Sequence, residues 1–420
     1  MTWLVSRDSL TPDQTRVVEF DTRTHHLVLG SPGSGKTIVA LHRARELVDR
    51  LGTAPSRFSL LVYTKALKAY IKSGLDDLDL SHDSVLTFDQ WCRKYYRAQI
   101  GKSVPKDEEG KPSFQQIRWE IYKYVSKRKP RLLDFVIVDE GQDLDWIAFE
   151  ILTAISGHVT VFMDSKQQIF ENGSSQNDVL KALCIDRRDL ELLGAYRCTP
   201  YIVSVAASFI PDEIERKRFT DQTRDKGPKQ KPLVYIAGDH DALFNHLVDV
   251  LRTRVDRGER IGILLPSNKL VHSIGKKLRE VGFDIEFPIT IGRKNNSEKP
   301  GHNFASVRPK LMAYPSAKGL TFDTVLLPFF NRREFREDFS EALLERWIFV
   351  AMSRATQWIY INGSSEQHEE LFYEKRFQSL ENQFQLTIQR DFENESKQTS
   401  KQSDHEDNAD AEEEDLSDMF

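Results

Sequence analysis

Eight consecutive residues, Gly30, Ser31, Pro32, Gly33, Ser34, Gly35, Lys36 and Thr37, spell GSPGSGKT and have the types that nucleotide phosphate chemistry needs. Glycines at this spacing let backbone N–H groups close around phosphate oxygens with no Cβ in the way. The lysine reaches the β- and γ-phosphates, and the hydroxyl of the next residue is a ligand for Mg²⁺. Such a loop works only between a buried strand and a helix, whose N-terminal dipole adds to the field at the phosphates. Here HHLVLG precedes the loop and IVALHRARELV follows it with helical apolar spacing. An ordinary glycine-rich turn would account for the glycines alone.

A nucleotide held this way requires an acid at the end of a second buried strand. FVIVDEGQD at 135–143 supplies Asp139 to hold the metal and Glu140 to orient and deprotonate a water attacking the γ-phosphate. An Asp-Glu pair after a strand also serves as a helix N-cap; the phosphate loop elsewhere in the chain is what favours the catalytic reading. ATP and Mg²⁺ are the cofactors this pairing predicts.

The elements that must position these groups are legible as apolar runs separated by helical patterns. Strands are predicted at HHLVLG, at 58–64, at 132–139 and at 158–164, with helices between them. Strands that are apolar throughout indicate a parallel sheet covered on both faces. The same grammar restarts at 232–238, with a helix carrying Leu243, Leu247 and Leu251, and continues through 260–266, 324–330, a helix near 340–355 and a strand at 357–363. Two α/β domains follow, joined through the polar segment 211–230. A small helical insertion is expected at about 92–130, and an exposed loop at 291–303.

With 420 residues, 39% hydrophobic and 29% charged, the chain excludes a fibrous or wholly disordered protein. Its apolar runs fall far short of the ~20 residues a spanning helix needs, and the start lacks a secretory signal pattern, so the cytoplasm is the expected location. The 3 cysteines have no metal-ligand spacing. The net charge of −5 averages two regions: residues 391–420 hold twelve acids against Lys397 and Lys401, a local −10, leaving +5 on the rest. A basic body suits a nucleic-acid partner. The tail, 391–420, is predicted to be disordered, acting either as a solubilising segment or, through EEEDLSDMF, as a recruiter of a protein partner.

From residue 10 to about 362 the motifs resemble those of the UvrD/Rep group of superfamily 1 DNA helicases. LTPDQ at 10–14 resembles the adenine-reading motif and implicates Gln14, for which a surface glutamine after a capped turn is the alternative. VDEGQDL at 138–144 resembles the DEAQD signature, and DSKQQIF at 164–170 resembles GDxxQxIY, implying γ-phosphate sensing by Gln167 and base stacking by Phe170. AYRCTP at 195–200 implies Tyr196 on adenine and Arg197 on the γ-phosphate. SAKGLTFD at 316–323 places Gly319 at the nucleotide and Ser316 at nucleic acid, and FVAMSRA at 349–355 makes Arg354 a second arginine finger. VYTKA at 62–66 and TFDQW at 87–91 nominate Thr64, Lys65, Thr87, Phe88 and Trp91 for DNA contact, with core packing the alternative for the aromatic residues.

The resemblance implies two RecA-like P-loop NTPase domains, 1–210 and 211–390, sharing one nucleotide between them. It implies an ATP-dependent translocase or helicase moving 3′-to-5′ on single-stranded or tailed duplex DNA. A nucleic-acid-gated regulatory ATPase serving a partner such as a nuclease is the alternative; a small-molecule kinase leaves the downstream arginine motifs unexplained. Departures are specific: Thr321 stands where the group commonly has glutamate, Pro315 where it often has histidine, and the large second-domain insertion is missing. These losses predict weak duplex separation by the chain alone.

Overall fold

Strands buried on both faces read as unbroken apolar runs, and the two sheets of this protein are assembled from such runs. The structure is a computed structural model, and it describes residues 3–31, 33–101, 103–164, 173–192, 198–221, 230–288, 302–335, 339–364 and 371–391. In the first domain β1 is His26–Gly30, β2 Phe58–Val62, β3 Val85–Thr87, β4 Leu133–Val138, β5 Ser156–Met163 and β6 Leu190–Leu192. All pair in parallel, in the order β3-β2-β4-β5-β1-β6. The second domain contains β7 Leu233–Ala237, β8 Ile261–Leu265, β9 Lys310–Ala313, β10 Phe322–Leu327, β11 Ala355–Ser364 and β12 Thr387–Arg390. These too are parallel, ordered β12-β7-β11-β10-β8-β9. The expected α/β class, with two parallel sheets in two RecA-like domains, is what the chain adopts.

The first domain carries α1 Pro12–Glu19, α2 Lys36–Leu51, α3 Lys65–Lys72, α4 Phe88–Tyr95, α5 Phe114–Arg128, α6 Trp146–Ile155 and α7 Gln176–Ala182. α2 buries Ile38, Leu41 and Ala44 against the sheet and ends where Gly52, at φ 61°, turns left-handed and returns its N–H to the Val48 carbonyl. Arg43, fully buried in the middle of α2, donates to the carbonyl oxygens of Val17, Val18 and Phe20 at the end of α1 and to Thr160 on β5. One guanidinium thereby fixes α1, α2 and β5 together.

α8 Pro200–Ala207, α9 Glu213–Asp221, α10 His240–Asp256, α11 Asn268–Glu280, α12 Glu341–Met352 and α13 Glu374–Asn382 follow. α8 packs on α12 and β11, and the Thr199 N–H donates to the Thr356 carbonyl, so α8 lies against elements of the second sheet. The joining segment is also partly helical: α9 packs on α8 and buries Phe219. Its charged surface had suggested a linker, because one buried aromatic is a weak sequence signal. The 92–130 region is helical as expected, but α4 and α5 share a buried cluster with β4 and β5 and form the sheet's outer layer. The 291–300 stretch and the tail beyond Asp391 lie outside the described residues.

The two domains share a continuous core, with Leu67 and Tyr70 of α3 in one cluster with Leu320 and Phe322. The first sheet offers the C-terminal ends of its strands to this junction. The second offers the segments that enter β10 and β11.

Candidate active site

The loop from Gly30 to α2 is closed by a Ser34 N–H to Ser31 carbonyl bond of 3.1 Å, with Gly33 and Gly35 at φ 78° and 85°. A Cβ on Gly35 would stand 2.7 Å from Gln14 Nε2. That amide nitrogen donates to the Ser34 carbonyl at 2.9 Å, while Gln14 Oε1 accepts from the Thr11 N–H at 2.9 Å in the capping box that starts α1. Gln14 thus braces the phosphate loop from behind. Lys36 folds back over the loop, donating to the carbonyls of Gly30 at 2.7 Å and Ser31 at 3.1 Å, with Asp164 3.6 Å away. Pro32 lies outside the described residues.

Thr37, the second residue of α2, donates its hydroxyl to Asp139 Oδ2 at 2.7 Å, joining the phosphate loop to the end of β4. Asp139 is buried, and burial first, then the charge of Glu140, pushes its carboxyl up to about 7. Burial also pushes Glu140 up, but Lys318, Lys36 and Arg354 outweigh it and hold Glu140 below the ordinary carboxylate range. The asymmetry follows from the geometry, since Glu140 has a cation from across the cleft and Asp139 a neutral hydroxyl. Hard oxygen donors of this kind suit Mg²⁺, which keeps several waters and takes few protein ligands. The Thr37 hydroxyl and the Asp139 carboxylate are two such donors side by side; among the described residues no three His, Cys, Asp or Glu side chains are arranged to hold a metal.

Glu140 adopts φ 59°, a left-handed backbone that costs a non-glycine residue ~1–2 kcal/mol. Gln142 holds its carboxylate, donating to Oε2 at 2.6 Å, and Gln142 Oε1 accepts from the Asp164 N–H at 2.9 Å. Gly141 between them is forced, because a Cβ there would meet Val161 at 2.5 Å. The DEGQ string therefore encodes a strained turn that aims one carboxylate.

The second domain closes over this edge. Lys318, 1% exposed, places Nζ 2.6 Å from Asp143 Oδ2 and 3.7 Å from Glu140 Oε2. Gly319, at φ 79°, lets the chain pass so close to α3 that a Cβ would stand 2.8 Å from Leu67. Arg354 is buried, donating to the Val350 carbonyl at 2.9 Å, to the Leu320 carbonyl at 3.4 Å and to Ser353 Oγ at 2.9 Å. A cleft with about 450 Å³ of free space is lined by Gly33, Gly35, Lys36, Thr37 and Glu140 from one side and Gly319, Thr321 and Arg354 from the other.

Thr64 and Thr87 cap the N-termini of α3 and α4, accepting from Leu67 N–H at 3.0 Å and Gln90 N–H at 3.2 Å. Lys65 is exposed at the first of these ends, and Ser316 is half-buried in the turn Tyr314–Ala317 that packs on α3. Phe88 and Trp91 are core residues, 2% and 8% exposed, stacked in line with Tyr95. That burial favours the core-packing alternative for both: α4 turns its aromatic side to the sheet. Gln167, Phe170, Tyr196 and Arg197 fall outside the described residues.

Sequence reasoning missed Lys318, Asp143, Gln142 and Lys68. Lys318 stood in view inside SAKGLTFD, between two nominated residues. Lys68 donates to Gln90 Oε1 at 2.7 Å, and burial, then Lys72 and Lys94, lower its ammonium to about 8. Three lysines at i, i+3 and i+7 on α3 were the available signal.

Residues 10–123 match the UvrD/REP helicase N-terminal domain, in line with the resemblance read from the motifs. No curated protein matches the chain. A matching solved structure is the C-terminal domain of a possible DNA helicase from Lactobacillus WCFS1, 17% identical, covering 40% of this chain and 87% of that one at a TM-score of 0.29, too slight a likeness to bear on the argument.

Proposed function

We propose, from a UvrD/REP-type first domain as premise, that this chain is an ATP-driven translocase or helicase on single-stranded or tailed duplex DNA, moving 3′-to-5′. The observation that carries the reading is the cross-domain enclosure of one phosphate site, with Lys318 on Asp143 and Arg354 lining the same cleft as Lys36. One nucleotide between two domains makes domain closure depend on its presence.

In this reading the β- and γ-phosphates take Lys36 from the Gly30 and Ser31 carbonyls, and backbone N–H groups of Gly35 to Thr37 receive their oxygens. Thr37 and Asp139 hold Mg²⁺, which supplies charge neutralisation at the phosphates when bound. Glu140, kept ionised by Lys318 and aimed by Gln142, accepts a proton from the attacking water. Arg354 swings from its resting bonds to the γ-phosphate, where its charge-assisted bonds last only until hydrolysis. The N-termini of α3 and α4, with Thr64, Lys65, Lys68 and Thr87, take the phosphodiester backbone of the strand.

Steady-state ATPase with and without single-stranded DNA tests the reading, alongside Lys36→Ala and Arg354→Ala. Strong stimulation lost in both variants is the expected result. Turnover indifferent to DNA would reject it, and stimulation without displacement or movement on tailed duplexes would reassign the chain to a regulatory ATPase.

A further inference from the structure

Of the chain's 6 tryptophans, Trp119 and Trp146 are the exposed ones, at 41% and 48%. They share one surface. Tyr122 joins them, its ring stacked on Trp119 at 5.5 Å and edge-on to Trp146 at 5.8 Å. Exposed aromatic residues scattered singly are ordinary, but three in contact on two neighbouring helices form a patch. None of the three belongs to a motif nominated for ATP or DNA.

The two helices hold the patch in place. α5 buries Ile117, Ile121 and Val125 on its inner face, which turns Trp119 outward. Arg118 beside it bonds Asp145, the residue that caps α6 through the Ala148 N–H, at 2.6 Å, and Asp89 of α4 at 2.7 Å. That double ion pair sets α5 against α6 where Trp146 begins the second helix, and it neutralises the Arg118 charge.

Along the outer row of α5, Trp119 is followed at four-residue steps by the exposed Lys123 and Lys127. Lys123 places its ammonium 5.2 Å from the centre of the Trp119 ring. Glu120, the one acid of this helix, accepts from the Tyr96 hydroxyl at 2.6 Å, and Glu150 is the one charge on α6. The face is therefore aromatic at one end and basic at the other.

The sequence holds a segment of the opposite polarity. Residues 406–415, EDNADAEEED, contain seven acids and neither Lys nor Arg, and Leu416, Met419 and Phe420 follow as the first large apolar side chains after Phe392. Their spacing would put all three on one side of a helical turn. Reach does not limit the encounter: the 25 residues from Asp391 to Leu416 (416 − 391) span up to ~80 Å when extended, whereas a body of this size has a radius of gyration of roughly 21 Å. A single strand of nucleic acid is the poorer match, because it needs cations along its whole path, and at the Trp146 end Arg118 is already held by two carboxylates.

We propose that residues 412–420 dock on this face of their own chain, with Leu416, Met419 and Phe420 against Trp119, Tyr122 and Trp146, and the acidic run 412–415 against Lys123 and Lys127. The assignment is independent of the ATP reading of the phosphate loop. Tethering supplies an effective concentration on the order of 1 mM, so a contact of modest intrinsic affinity keeps the face covered.

Acrylamide quenching of tryptophan emission in the full chain tests this, because Trp119 and Trp146 are its exposed indoles. Leu416→Ser, Met419→Ser and Phe420→Ser together should raise the quenching constant about twofold, as expected when tethering keeps the face mostly covered. The rise should vanish when Trp119→Phe and Trp146→Phe are also present. Equal quenching with and without the three serines overturns the proposal. So does a rise that survives the two Phe substitutions, which would put the segment elsewhere. Protection lost on dilution would give the face to the segment of a second copy, and protection that appears only on adding single-stranded DNA would give it to nucleic acid; either result rejects docking within the chain.

Discussion

Asp139 is a buried carboxylate whose folded-state proton affinity lies far above that of the unfolded chain, ~3.9, because burial first and Glu140 second raise it to about 7. The sign of the linkage follows. The folded protein binds the proton more tightly, so this group costs stability as pH rises from ~4 towards 7. A metal must displace that proton. Affinity for Mg·ATP should therefore fall as pH drops below 7, by up to about tenfold per unit, with a proton released on binding. Calorimetry in two buffers of different ionisation enthalpy measures the release. Asp139→Asn should bind weakly at every pH with no proton released; a wild-type affinity flat between pH 6 and 8 would place the proton elsewhere.

α1 and α2 act on the site as a pair, since the Gln14 that caps one braces the loop entering the other. Gln14→Ala should lower stability by about 1 kcal/mol through the lost reciprocal bond to the Thr11 N–H and raise the KM for ATP, whereas a surface glutamine would move neither. On α3, Lys68→Ala should reduce the salt dependence of single-strand binding by about one unit of log–log slope, and an unchanged slope would remove α3 from the strand's path. Much of this was legible. The strand-loop-helix order around Lys36 and Thr37 was readable because strand apolarity and helix period are local signals. What escaped were properties set by neighbours: that Phe88 and Trp91 face the sheet depends on which side of α4 is covered, and that α8 lies against elements of the second sheet depends on α12, some 140 residues later. Lys318 escaped because its role exists only against Asp143 in another domain.

At the scale of the whole molecule, the buried Lys318–Asp143 pair ties the two domains together, and in the proposed mechanism it links catalysis to closure. Lys318→Met strands the carboxylates of Asp143 and Glu140, a penalty of ~3–5 kcal/mol against the closed arrangement. The variant should lose ATPase and show a larger radius of gyration by small-angle scattering, with both domains still folded. Adding Asp143→Leu should bring back compactness but not full turnover, since Glu140 still lacks Lys318, the largest of the charges that keep it ionised. Compactness retained in the single variant would mean the apolar junction closes the domains unaided.

The pairing ranges carry a consequence in time. Among the described residues, every strand of the first sheet lies within residues 26–192, and every strand of the second within 233–390. During synthesis at ~5–20 residues per second, the first sheet can finish while the last 198 residues to β12 (390 − 192) are still being made. For roughly 10–40 s the nascent chain presents Leu67 and the carboxylates of Asp139, Glu140 and Asp143 with no second domain to cover them. Until Lys318 emerges, the counter-charge within reach of Asp139 and Glu140 is Lys36 of the same domain, and the second domain then docks onto an edge that water has been solvating.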